Sequence, residues 1–218
     1  MVALGRARGL LVDLDGTLLD SEPVHRAAYE SFFAARGWTV DAGTYAHFVG
    51  RRGSDVFATL PGPWAGEDPD ALVAEVLGQL AGSTAAPAPI EGATELVRSY
   101  HAHGVPIALV TSATKAWAEY AVEEVLGVRE CFSALITWED VTHGKPDPAP
   151  FRTACQALHI QPATAVAIED SVAGVTAAIA AGVGRVIAVT TTSDARLLRD
   201  AGAHQVADSL SELISRKV

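Results

Sequence analysis

The chain has 218 residues, 49% hydrophobic and 19% charged, with a formal net charge of −10. That balance excludes disorder and allows a sizeable core, either as one domain or as a domain carrying an insertion. Sixteen Lys and Arg against 26 Asp and Glu, with no basic run, exclude the clustered positive footprint of a nucleic-acid partner.

No segment reaches the roughly 18 apolar residues of a membrane span. The apolar run after Arg6 and Arg8 is broken by Asp13, too soon for a signal peptide. Cys131 and Cys155 lack CxxC spacing and read as reduced core residues. These features predict a soluble, cytoplasmic protein, a monomer or weak homodimer with no nucleic-acid or membrane partner.

The first element is Leu10-Leu11-Val12, followed by Asp13-Leu14-Asp15-Gly16-Thr17. A short apolar run that stops at carboxylates and a glycine reads as a buried strand ending at a sheet edge, where α/β proteins place ligands. Side chains alternate along a strand, so Asp13 and Asp15 leave on the same side, where two ionised groups repel each other. A hard divalent cation such as Mg²⁺, which takes oxygen ligands, relieves that repulsion.

From Glu22 to Arg36 apolar residues recur at helical spacing, and Gly37 is a natural stop. The next strand-like run waits until Ile107, too far for a simple crossover. Residues 21–89 therefore read as an inserted helical cap domain, with further helices over Thr44 to Leu60 and Asp70 to Ala81. Breakers at Pro61-Gly62-Pro63-Trp64-Ala65-Gly66 separate these two helices, and Ala85 to Pro89 forms a stiff return linker. The companion hinge follows Asp20.

Residues 1–20 and 90–218 make the core. After Gly92, helices at Ala93 to His103, Thr114 to Leu126, Pro148 to His159 and Val172 to Ala181 alternate with strands. Those strands fall at Pro106 to Thr111, Ala134 to Thr137, Ala165 to Glu169 and Arg185 to Thr190, with a short strand at Gln205 to Ala207 and a terminal helix from Leu210. The fold class is α/β: a Rossmann-like, three-layer parallel-sheet core with a small all-helical cap inserted.

Asp13-Leu14-Asp15-Gly16-Thr17 resembles the first signature of the haloacid dehalogenase-like hydrolases. Thr111 after Ile107 to Val110, Lys145 in Gly144-Lys145-Pro146-Asp147-Pro148, and Glu169-Asp170-Ser171 after Ala165 to Ile168 resemble the later signatures, in order. The resemblance implies that Asp13 is the nucleophile forming an aspartyl-phosphate and Asp15 the general acid and base. It also implies that Asp13, the Asp15 carbonyl, Glu169 and Asp170 form an oxygen-only Mg²⁺ site. Lys145 neutralises the nucleophile, and Thr111 with the Ser112 N–H binds a phosphoryl oxygen. The second aspartate separates phosphatases from the family's dehalogenases, whose leaving group needs no proton.

For the cap, Asp20-Ser21-Glu22-Pro23 and His25 resemble the entry found in the sugar-phosphatase and β-phosphoglucomutase branch. Val49-Gly50-Arg51-Arg52-Gly53-Ser54-Asp55 resembles its substrate-facing loop. Ser21, Glu22, His25, Arg51, Arg52 and Ser54 are thereby expected to bind substrate. The chain's three lysines are Lys115, Lys145 and Lys217, so no cap lysine is present. That absence disfavours a Schiff-base phosphonate hydrolase and places the mutase second. The expected activity is Mg²⁺-dependent hydrolysis of a small sugar or polyol phosphate monoester, with a mutase and a non-catalytic binding module as alternatives.

Overall fold

Three consecutive apolar side chains, Leu10, Leu11 and Val12, have no exposed surface, and the strand they form, β1 (Gly9–Val12), lies in the middle of the main sheet. The computed structural model describes residues 7–41, 43–81 and 86–214; Arg6, Ala85 and Lys217 lie outside them. After β1 the chain forms β2 (Leu19–Asp20), α1 (Glu22–Ala35), α2 (Gly53–Thr59), α3 (Pro69–Ala81) and β3 (Ala88–Pro89). Alternation follows: α4 (Ala93–Ala102), β4 (Ile107–Val110), α5 (Lys115–Tyr120), β5 (Ala134–Ile136), α6 (Ala149–Ala157) and β6 (Ala165–Glu169). Last come α7 (Val172–Ala180), β7 (Arg185–Val189), α8 (Ala195–Asp200), β8 (Gln205–Ala207) and α9 (Ser211–Ile214).

The six-stranded sheet has the order β5-β4-β1-β6-β7-β8, and every pairing in it is parallel. Alternation divides its side chains between two layers. Leu10 and Val12 pack with Leu96 and Val97 of α4, Ala118 of α5 and Leu213 of α9, whereas Leu11 packs with Phe151 of α6, Val175 of α7 and Leu198 of α8. This is the three-layer architecture expected. The chain leaves β1 toward β4 and β5, then returns to β6 on its other side. The crevice at the carboxyl end of β1 is therefore the topological switch point, where open α/β sheets bind ligands.

The helical insertion leaves through β2 and returns through β3. These two segments pair antiparallel, Leu19 with Pro89 and Asp20 with Ala88, a ribbon that the sequence did not signal. The helices have their own core, in which Phe32, Phe33, Phe48, Phe57 and Trp64 pack with Val56, Leu72, Val73 and Val76.

The single helix expected over Thr44 to Leu60 is two pieces, a 3₁₀ turn at Thr44–His47 and α2. The break lies at Gly50, whose φ is +70° and which sits so close over Ser171 that a Cβ would collide with its side chain. The helix expected over Thr114 to Leu126 is α5 followed by a π-helical segment, Ala121–Val125. No described helix is long and apolar enough to cross a membrane.

Candidate active site

The β1 strand stops because the backbone folds into a tight turn in which the Leu14 carbonyl accepts from the N–H groups of Thr17, Leu18 and Leu19. Gly16 makes the turn possible: its φ is +85°, and a Cβ there would strike the Asp170 carboxylate. Just before the turn, Asp13 is 5% exposed. Lys145, 1% exposed, donates to Asp13 Oδ1 at 2.5 Å, to Glu169 Oε1 at 2.5 Å and to the Val110 carbonyl at 2.8 Å. Its three ammonium donors are thus all used.

Glu169 closes β6 and has no exposed surface. Its second oxygen accepts from the backbone N–H of Asp170 at 3.1 Å, the N–H of Ser171 at 3.2 Å and the Ser171 hydroxyl at 3.0 Å. Both carboxylate oxygens are therefore engaged by protein donors. Asp170 accepts from Thr17 at 3.1 Å on Oδ1 and from Thr192 on Oδ2. Ser171 caps α7, accepting from Gly174 N–H at 3.0 Å.

Charge in this pocket is unbalanced. Asp13, Glu169 and Asp170 present oxygens within 4.8 Å of one another, against the single ammonium of Lys145. Burial pushes the Asp13 carboxyl up to about 7, with Lys145 pulling it down and Glu169 pushing it further up. Asp170 is raised well above the usual carboxylate range by burial and by the charges of Asp13 and Glu169. A buried, oxygen-only cluster whose own charge is costly fits a hard divalent cation.

Asp15 has a different environment. Its Oδ1 accepts from the Ser21 hydroxyl at 2.6 Å and the Trp117 indole N–H at 2.9 Å, and it lies 3.1 Å from His25 Nε2. Burial works to raise this carboxyl, but His25, Ser21 and Trp117 outweigh it and hold it below its ordinary value. Burial likewise opposes a charge on His25, yet Asp15 raises the imidazole above its ordinary value. Ser21 stands at the N-cap of α1, but its hydroxyl serves Asp15 rather than the helix.

A cavity of about 130 Å³ runs from Asp13, Asp15 and Thr111 into the insertion, lined there by Glu22, His25, Tyr29, Phe48 and Arg51. Glu22 accepts from Tyr45 OH at 3.2 Å. The Nε of Arg51 is buried with no hydrogen-bond partner among the described residues. Thr111 Oγ1 accepts from Ala113 N–H at 3.0 Å, shaping the loop after β4, and the Ser112 hydroxyl donates to the Gly50 carbonyl at 3.1 Å.

Three expected substrate contacts have other surroundings, the first being Ser21, fully buried on Asp15 and outside the cavity lining. Arg52 turns away from the cavity lining and donates to the carbonyls of Trp138 at 2.8 Å, Val141 at 2.8 Å and Thr142 at 3.1 Å. Its guanidinium sits 5.2 Å from the centroid of the Trp138 ring. It ties the insertion to the loop leading to Lys145, aided by the Gly144 N–H donating to Asp55 at 3.3 Å. Ser54 is buried in α2, outside the cavity lining. Arg52 has extended backbone just ahead of α2, which places its side chain on the opposite side from that of Arg51.

Sequence reasoning missed Trp117 and Thr192. Trp117 is a half-buried aromatic in the first turn of a short helix, a pattern that ordinarily means core packing; the only hint was a ring with a polar handle just beyond a strand end. Thr192 lies after β7 with no local signal.

The sequence pattern of the haloacid dehalogenase-like hydrolase family matches residues 7–182. Validoxylamine A 7'-phosphate phosphatase from Streptomyces hygroscopicus subsp. limoneus is 38% identical, over 88% of this chain and 89% of that protein. Fructose-1-phosphate phosphatase YqaB from Escherichia coli K12 is 32% identical, over 83% of this chain and 96% of that protein. Among solved structures, a mutant of CbbY from Rhodobacter sphaeroides in complex with xylulose-(1,5)bisphosphate superimposes with a TM-score of 0.78 at 27% identity, covering 95% of this chain and 96% of that one.

Proposed function

Since the chain belongs to the haloacid dehalogenase-like hydrolases and is a phosphoric monoester hydrolase of that family, we propose that it hydrolyses a small sugar or polyol phosphate through an aspartyl-phosphate on Asp13, with Mg²⁺ as cofactor. The observation that carries this reading is the separation of two neighbouring carboxylates. Asp13 is buried on Lys145, while Asp15 is held on the cavity wall by a histidine, a serine and an indole. The lowered Asp15 carboxyl is ionised at rest and acts as an acid only after the neighbouring His25 imidazolium passes it a proton, while a cation bound beside Asp13 would favour its ionised, nucleophilic form.

In the first half-reaction an Asp13 oxygen attacks phosphorus, and the ester P–O bond breaks with its electron pair on the ester oxygen. That oxygen takes a proton from the Asp15 carboxyl and the alcohol departs. Asp15 receives its proton across the 3.1 Å contact with His25. In the second half-reaction water attacks the aspartyl-phosphate phosphorus and gives a proton to Asp15, which returns it to His25. Phosphate leaves and the Asp13 carboxylate is restored.

Asp13, Asp170 and the Asp15 carbonyl would hold Mg²⁺, with Glu169 orienting Lys145 and the N-terminus of α7 rather than ligating. Bound there, the ion supplies charge screening between nucleophile and phosphate. Residues 21–89 act as the cap. Arg51, His25 and Glu22 are its polar contacts to the alcohol, and Arg52 fastens the cap to the core. The relatives named for phosphatase activity on validoxylamine A 7'-phosphate and fructose 1-phosphate support a sugar-like alcohol. Commitment of Arg52 to backbone carbonyls leaves Arg51 as the one arginine lining the cavity, among described residues. That supports a monophosphate substrate over the bisphosphate of a mutase.

The test is turnover of p-nitrophenyl phosphate with and without Mg²⁺, followed by a screen of phosphorylated metabolites. Absence of phosphate release from every ester in Mg²⁺ would reject the reading.

A further inference from the structure

Trp117 belongs to none of the four signatures, yet it touches the residue on which leaving-group chemistry depends. Its indole N–H reaches Asp15 Oδ1 at 2.9 Å, its ring centroid lies 5.1 Å from that of His25, and the ring lines the cavity. The other side of the residue is fixed. Trp117 packs against the apolar layer beneath α5, its backbone N–H is 3.4 Å from the capping hydroxyl of Thr114, and its ring lies 5.9 Å from Tyr120. The ring is thus a rigid mount carried by the core, whereas Ser21 and His25, the other two partners of Asp15 Oδ1, belong to the start of the insertion.

Three contacts on one oxygen hold Asp15 in a single pose and leave its other oxygen without a donor among the described residues. Two of those contacts move with the insertion if it shifts. Only the indole remains on the core in any such movement. A carboxylate fixed from both sides needs less reorganisation when the proton is transferred than one held from one side alone.

We propose that Trp117 is a positioning residue for leaving-group protonation, holding Asp15 from the core side of the cavity through its indole N–H. This rests on the phosphatase reading above. It predicts an effect that scales with how much the leaving group needs a proton. A p-nitrophenolate departs without one, a phenolate benefits from one, and a benzyl alkoxide requires one.

The experiment is a leaving-group series of p-nitrophenyl, phenyl and benzyl phosphate, measured in Mg²⁺ with wild type and with Trp117→Phe, which keeps an aromatic ring and removes the donor. Losing one hydrogen bond to a charged group predicts a kcat/KM, which reports only the half-reaction that expels the alcohol, lowered about tenfold or more for benzyl phosphate, with a progressively smaller loss toward p-nitrophenyl phosphate. Incorporation of benzothienylalanine at 117 is the second variant; it keeps the bicyclic shape, removes only the N–H, and should give the same graded loss without a fall in Tm. Equal losses along the series, or none in either variant, would overturn the proposal. Failure of wild type on the entire series and on every ester of the metabolite screen rejects the underlying phosphatase reading instead, a result distinct from parallel losses.

Discussion

The core and the helical insertion meet across one cavity, but they treat charge in opposite ways. On the core side Asp13, Lys145, Glu169 and Asp170 are at most 5% exposed and bonded to one another, to backbone groups or to the hydroxyls of Thr17, Ser171 and Thr192. On the insertion side the wall is largely apolar, with Ala28, Tyr29, Phe48, Val73 and Val76 interrupted by Glu22, His25 and Arg51. The difference follows from what each side must hold. A phosphoryl group has fixed charge and geometry, so its site is closely determined. An alcohol is recognised by a few polar contacts on an apolar surface, which leaves room for variation.

The sharpest way to break the core side is Asp13→Asn. Turnover should fall on the order of a thousandfold or more, because the amide cannot attack phosphorus. The same variant tests the electrostatics. In the folded, metal-free protein burial raises the Asp13 carboxyl from its ordinary 3.8 to about 7. An acid with a raised folded value contributes stability that is complete below the unfolded value and lost as pH rises through the folded one. Asp13→Asn avoids that loss, and Lys145 retains Glu169 at 2.5 Å. In chelator at pH 8 the variant should therefore melt several °C above wild type, with the gap closing toward pH 4, as followed by thermal denaturation across pH. A gap independent of pH would contradict a protonated Asp13.

Next in size is the metal. Excess chelator should abolish phosphate release, and Mg²⁺ should restore it. Ca²⁺, which takes more ligands at longer distances, should compete without supporting turnover. Titration calorimetry of Mg²⁺ into wild type and Asp170→Asn provides a readout independent of activity, with much weaker binding expected in the variant.

The adjacent arginines bring the comparison between the two sides into one pair. Arg52→Ala removes the donor to three carbonyls and should lower activity by a similar factor on every ester, with a Tm drop of several °C. Arg51→Ala should spare Tm and lower kcat/KM about tenfold or more only for substrates with distal polar groups, since remote contacts help only molecules that possess them. Kinetics on the metabolite found in the screen and on p-nitrophenyl phosphate decide between them.

The smallest expected effect lies on the insertion's outer surface. Arg36 hydrogen-bonds Glu75 and holds its carboxyl below the ordinary value. An acid lowered in this way adds stability above its unfolded value of 4.5, and that stability is lost as pH falls through the folded value. Glu75→Gln should cost no more than about a degree of Tm near neutrality, and salt should erase the difference.

Much of this arrangement was legible in the chain alone because it is local. An apolar run that ends in carboxylates must be a strand stopping at an edge. Gly16 is readable as a turn for the same reason that it works as one, since it supplies φ +85° beside Asp170. Parallel alternation after Gly92 brings four strand ends to one edge, so the convergence of Asp13, Thr111, Lys145 and Glu169-Asp170 follows from connectivity.

What only the tertiary structure decided are contacts whose partners lie far away along the chain. Arg51 and Arg52 are adjacent and chemically identical, and nothing in their spacing distinguishes them. Extended backbone at Arg52 sends its side chain to carbonyls 86 to 90 residues away and leaves Arg51 at the cavity. Trp117 reads as core until Asp15, 102 residues earlier, is brought to its N–H. Periodicity encodes which face of an element is buried; the identity of the group it meets there is set by how separate elements pack, and no local pattern carries that information.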